Sequence, residues 1–397
     1  MESNMEQTTT KLSVMNVFKF AGAIIAFLIG SGFASGQEVL QFFTNYGLKG
    51  ILGVFVAMTL FVVLGAVLMR YGFNHRNELA SNGIRHYCGK IFGTFMEWYT
   101  PFFCFLIGVI MVSGAGATVN EYFGWPNLVG TVGMTVIVFI TTLFGFNRLI
   151  DIISYLGPLT ILFTIVIAGI SLLKNPGGLA TADDVLRSSK GIIYGAGNQS
   201  FSWVLSAFLF VANNIVVGVP FITVLGKSAK NKKEAVLGGV FAGIALMASA
   251  LLLNLAMLSE IGQVLKVQVP VLLLAGNIST IISFFFSLIL LEEIFSTAAP
   301  MTWTVAYSLV GRNASKNKYR LIILALTIIT FVISQVPFGQ LVAVIYPITG
   351  YIGVILIFLI IGREIYDFVK HNRSTENSAE LAENMKVGLA NDATKDK

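Results

Sequence analysis

Charge is scarce in this chain: Asp, Glu, Lys and Arg make up 12% of its 397 residues, and histidine occurs three times. With 55% hydrophobic residues, so little charge cannot coat a soluble core, and a soluble globular domain is excluded. Cysteine occurs twice. Cys88 falls in a loop expected on the cytoplasmic side and Cys104 inside a span, so neither a disulfide framework nor a metal cluster is expected. His75 and His86 share a basic loop without metal-ligand spacing. No Walker or kinase motif and no nucleotide fingerprint occurs, which disfavours an ATP-driven pump. The net charge of +6 lies in short loops between apolar runs and not on one face, so nucleic acid is not an expected partner. A cleavable leader is not expected either: residues 1–13 are polar, and the first apolar run is too long and too polar inside for one.

What the chain has instead is apolar length, with a mean hydropathy of +0.80. Runs of about twenty residues recur, and the ten-residue alternation of a membrane barrel is missing. The fold class is therefore an all-α polytopic membrane protein of about ten transmembrane helices. Hydropathy places the spans near 17–44, 48–70, 92–118, 126–145, 148–173, 201–225, 235–258, 276–311, 319–336 and 339–368. The apolar stretch from Val269 is too long for one span, and Pro270 and Asn277 predict a short helix leading into it. Trp98, Trp125 and Trp203 near span ends read as interface anchors, and most phenylalanines as packing or lipid-facing residues. Lys and Arg concentrate in alternate loops, those holding Arg70 to Lys90, Arg148, Lys227 to Lys233, and Arg312 to Arg320. That bias predicts both termini in the cytoplasm, with the chain embedded in the lipid bilayer. The organisation expected is a tail over 1–14, a membrane domain over 15–370 with repeats near 15–173 and 200–368, and a disordered tail over 371–397.

The two halves match each other. AFLIGSGF from Ala26 aligns with AFLFVANN from Ala207, and FNRLIDII from Phe146 with FGQLVAVI from Phe338. Five spans is an odd number, so the second half enters the membrane inverted, as in secondary transporters. The first span carries FLIGSGFASGQEVLQFF, Phe27 to Phe43. Glycines and serines there predict a break over Ile29 to Gly32, tolerated in a membrane only beside protein or a water-filled cavity. Gly30, Ser31, Gly32 and Phe33 are candidate solute-binding residues, with exposed N–H groups facing a carboxylate. The other reading is a small-residue packing face. Gly32 and Phe33 align with Asn213 and Asn214, whose amides either face the same solute or join helices.

Ionisable groups inside spans face the bundle interior or a cavity. Glu38, beside Gln37, binds a substrate amine, closes a gate or carries a proton. A straight helix from the break puts it almost two turns outward, which favours a gate or vestibule. In the eighth span Glu292 and Glu293 are followed one turn later by Ser296 and Thr297 on overlapping faces, an oxygen set suited to Na⁺. Adjacent carboxylates in low dielectric do not both ionise, so one of the pair is also a proton carrier candidate. Pairing with Arg148, or a hydroxyl capping a backbone carbonyl, is the structural alternative. Arg148 and Asp151 open the fifth span as an inner gate or a local ion pair.

These segments together resemble the amino acid–polyamine–organocation superfamily, with its LeuT-like five-plus-five inverted repeat. Through IGSGFASGQE and NNIVVGVPF the chain is more closely similar to the YkvI-like bacterial membrane proteins, over roughly residues 15–370. The resemblance implies breaks in the first span at Ile29 to Gly32 and in the sixth at Val211 to Asn214. It also implies a site between the first, third, sixth and eighth spans, alternating access, and Na⁺ or H⁺ as coupling ion. Ser296 and Thr297 match the hydroxyl pair of the superfamily's sodium site, to which Ala26 and Ile29 would lend carbonyls. Glu293 departs from the pattern, standing where sodium-coupled relatives carry a small residue. The fifth span also lacks the lysine of some proton-coupled relatives. The expected function is ion-coupled transport of a small organic solute, an amino acid or related amine. The alternative is a receptor that binds the solute without moving it. With no nucleophile–base pair or metal-ligand set in any span, an enzyme is not expected, nor is a cofactor beyond the ion. Protein partners are not indicated.

Overall fold

The computed structural model describes residues 12–76, 82–144, 150–189, 202–310 and 315–392. Helix α1 (Val14–Leu28) starts at Ser13, whose hydroxyl accepts the Asn16 N–H, and ends at Ile29 in extended conformation (φ −81°, ψ 102°). The break expected over Ile29 to Gly32 is there. Beyond it come α2 (Ser31–Ala34), α3 (Gln37–Phe42) and a 3₁₀ turn (Thr44–Tyr46). Between α2 and α3 the chain turns a second time at Gly36 (φ +85°), a left-handed conformation that suits glycine.

The remaining helices follow the hydropathy. They are α4 (Leu48–Asn74), α5 (Asn82–Phe123), α6 (Asn127–Phe144), α7 (Ile150–Lys174) and the surface helix α8 (Gly178–Ser188), which leaves α7 at 95°. In the second half lie α9 (Trp203–Lys227), α10 (Lys232–Ser259), α11 (Ile261–Val264), α12 (Pro270–Ile278), α13 (Thr280–Val310), α14 (Lys316–Ile333) and α15 (Phe338–Asp392). Six of these are each long and apolar enough to cross a bilayer: α4, α5, α9, α10, α13 and α15. The broken first span, α6, α7 and α14 complete the expected plan. The short helix predicted from Pro270 is α12, with the proline in its first turn and an extended Ser279 separating it from α13.

Packing obeys the inverted repeat. Span 2 (α4) packs on span 6 (α9) as span 7 (α10) packs on span 1 (α1); spans 3 and 4 pair as 8 and 9 do; spans 2 and 7, and spans 3 and 8, pack on each other. Exchanging each span with the one five places later reproduces these pairs, as expected of a pseudo-two-fold in the membrane plane. Spans 2 and 7 come close through small residues: a Cβ on Gly65 or Gly239 would collide with the other's backbone.

Two expectations are corrected. The sixth span is not broken: α9 is one helix through Val211 to Asn214. Those positions lack the glycines of the first span, and each asparagine returns an amide hydrogen to its own helix, Asn213 to Leu209 O at 3.0 Å and Asn214 to Phe210 O at 2.9 Å. The tail from 371, expected without structure, continues α15 to Asp392, over a stretch rich in Glu, Ala, Leu and Lys, which favour helix.

Candidate functional site

A cavity of about 60 Å³ lies against the break in the first span. Gly30 and Glu38 contribute from that span, Phe103, Ile107 and Met111 from α5, Phe210, Asn213, Asn214 and Val217 from α9, Thr297 and Met301 from α13, and Tyr346 from α15. Phe27, Leu28 and Phe42 of the first span also border it. Apolar walls with a few convergent polar groups are the usual form of a small-molecule site.

The segments after the break and before α12 are tied to neighbouring spans. All six residues of α3 are buried. Ser35 O accepts the Val271 N–H at 3.0 Å, which ties α12 to the first span. The Glu121 carboxylate, at the end of α5, accepts the N–H groups of Gln268 and Val269 just before α12. Gln268 Oε1 in turn accepts the Gly339 N–H at 3.3 Å, at the start of α15.

Glu38 is not in an outer vestibule. The turn at Gly36 folds α3 back, so the carboxylate lies over Gly32, where a Cβ would strike it. It is 8% exposed, borders the cavity and is hydrogen-bonded by the Tyr346 hydroxyl. A straight helix misplaces this residue because it ignores the second break.

The two asparagines separate. Asn213 donates to Leu209 O and to Tyr346 O (2.9 Å), and its Oδ1 accepts from the Thr349 hydroxyl at 2.9 Å. Both of its amide hydrogens are thereby taken, one within α9 and one in joining α9 to α15. Asn214 is half-buried beside the cavity. Gly30 borders the cavity, whereas Phe33 is buried away from it and Gly32 sits under Glu38. Of Ser31 only the backbone, opening α2, is described.

In α13 the hydroxyl of Thr297 comes to Gly30, about 3.7 Å from where a Cβ would stand. Ser296 donates instead to Glu293 O at 2.9 Å, inside its own helix. Glu293 is buried, and its Oε2 accepts from Thr160 of α7 at 3.1 Å. The Glu292 carboxylate oxygens are buried without a hydrogen-bond partner among the described residues, and so is the Gln37 amide. Ala26 and Ile29 flank the end of α1, where a helix leaves its last carbonyls without intrahelical partners. Arg148 lies outside the described residues, and of Asp151 only the backbone in α7 is described. Among the described residues no group of three or more His, Cys, Asp and Glu is placed to hold a metal ion.

Sequence reasoning missed the aromatic wall and Tyr346. The rings gave no signal among 32 phenylalanines. Tyr346 did: a hydroxyl in mid-span beside Pro347 must find a partner.

Broken first span, inverted repeat and the cavity beside the break define a helical polytopic membrane protein with the LeuT-like five-plus-five fold. Two relatives extend along nearly all of it. The chain is 27% identical over 369 residues to the uncharacterized membrane protein YkvI of Bacillus subtilis (strain 168), covering 89% of this chain and 96% of that protein. It is 23% identical over 342 residues to the uncharacterized protein YyaD of the same organism, covering 84% and 93%. The YkvI-like resemblance is thus borne out. No family model matches. Among solved structures, a mutant of the Eremococcus coleocola manganese transporter superposes with a TM-score of 0.54 at 15% identity, over 85% of this chain and 76% of that one. Mhp1, a nucleobase-cation-symport-1 family transporter in a closed conformation with bromovinylhydantoin bound, gives 0.50 at 16%, over 80% and 70%. Both are similar in fold.

Proposed function

We propose that this protein is a secondary transporter of a small organic solute, an amino acid or related amine, driven by a coupling ion through alternating access. The observation that carries the reading is the cavity at the broken first span, lined by residues of spans 1, 3, 6, 8 and 10. A solute held between helices of two bundles is released to either side when one bundle rocks against the other. Transport by the proteins of similar fold supports this. A bare metal ion fits the lining less well than an organic solute: hard dications take six or more oxygen ligands, while this wall is mostly aromatic and aliphatic with one carboxylate.

Coupling is assigned to the oxygens around α13. Thr297, beside the end of α1, is the better ion ligand, because the Ser296 hydroxyl already serves its own helix. Thr297→Ala should therefore reduce the ion dependence of uptake more than Ser296→Ala. Equal effects on ion dependence would remove the hydroxyl site and leave Glu293 and Glu292 as proton carriers.

The deciding experiment is uptake into proteoliposomes of any solute that raises the protein's melting temperature, with Na⁺ and H⁺ gradients imposed separately. Accumulation above the external concentration under one gradient supports transport and names the ion. Saturable binding with no accumulation under either would make the protein a receptor on a transporter fold.

A further inference from the structure

We infer that the solute at the broken first span is an organic cation without a carboxylate, and that Glu38 is its counter-charge. The inference rests on the transporter reading and narrows its substrate class.

Among the described residues the cavity wall includes no Lys, Arg or His, and Glu38 is its one carboxylate. A solute carboxylate would meet no cationic side chain there. The backbone N–H groups at the break offer no substitute: α2 has four residues, too few for an appreciable dipole, and the Glu38 carboxylate already lies over Gly32. A second carboxylate there would face the first at short range in low dielectric, where two like charges do not both persist.

The same wall suits a cation. Phe42, Phe103 and Phe210 present rings to the cavity. Ring faces attract ammonium groups, and the attraction is stronger where water is excluded. Phe42 is itself held between Phe210 and Tyr346, with centroids 5.7 and 6.5 Å away. The Tyr346 hydroxyl donates to Glu38 and holds the carboxylate in orientation. A volume of about 60 Å³ limits the solute to a small amine.

The test uses pairs that differ by one carboxylate: ethylammonium with alanine, and isobutylammonium with valine. Each is titrated against the purified full chain by thermal unfolding, followed by uptake of the binders into proteoliposomes. The expected result is saturable stabilisation by the amines, with at least ten-fold weaker binding of the matching amino acids. Glu38→Gln is expected to weaken amine binding at least ten-fold at an unchanged melting temperature. The wild-type pairs decide the question even if that variant fails to fold. Amino acids binding as tightly as their amines overturn the inference, as does a folded Glu38→Gln protein with unchanged amine affinity. Stabilisation by Mn²⁺ alone, or by no member of any pair, overturns it too. If amino acids bind equally and are accumulated, the inference fails and the transporter reading stands. If amines bind as expected and are not accumulated, the transporter reading fails and Glu38 remains a cation site in a receptor.

Discussion

Asn213 and Asn214 differ only in which face of α9 they occupy, and that difference separates structure from binding. Asn213 makes three side-chain hydrogen bonds, two of them to α15. Interhelical hydrogen bonds in membranes contribute on the order of 1 kcal/mol, so Asn213→Ala should lower the melting temperature by a few degrees. Asn214 makes one side-chain bond, within its own helix, and borders the cavity. Asn214→Ala should leave the melting temperature close to wild type and change solute affinity several-fold. Thermal unfolding with and without solute separates the two, and equal destabilisation would assign both to packing. From sequence the pair was legible as polar residues in a span. Which one was committed to α15 was not, because helical phase relative to α15 depends on packing.

The C-terminal half of the first span carries the site because it bends twice. Gly30 to Gly32 advertised the first bend; the second, at Gly36, looked like one more small residue in a membrane helix. Its consequence is large, since it returns Glu38 to Gly32. An alanine at Gly36 would adopt a left-handed conformation at a cost of about 1–2 kcal/mol. Its Cβ would also press on Val271 at 3.0 Å, Pro270 at 3.2 Å and Met257 at 3.3 Å. Gly36→Ala should therefore displace α12 and open the outer side, read as faster labelling of a cysteine introduced at Gln41. Glu121→Ala removes the acceptor for two N–H groups before α12 and should open the same side by a separate route. Unchanged labelling in both variants would mean that α12 does not close this entrance.

For the whole molecule the decisive feature is the pairing of each span with its counterpart five places later. Two short matches hinted at it, and the symmetric packing of spans 2 on 6 and 7 on 1 bears it out. Orientation in the membrane rests on Lys and Arg. In a background lacking Cys88 and Cys104, Lys230→Cys should react with a membrane-impermeant maleimide only after cells are opened, and Gly177→Cys in intact cells. The reverse pattern would invert the topology. Both positions are exposed turns between helices, so access reports sidedness and not burial.

Composition and periodicity alone determined that the chain is a bundle of membrane helices, where most of them begin and end, and that the first span breaks at its glycines. These are local consequences of the bilayer: a backbone that leaves the helix must be satisfied inside it, and few residues tolerate doing so. The tertiary structure decided that the sixth span stays whole, that Glu38 faces the cavity, and that Thr297 and not Ser296 reaches the break. Each of these depends on a rotation or a bend of a few residues, settled by contacts between spans far apart in sequence.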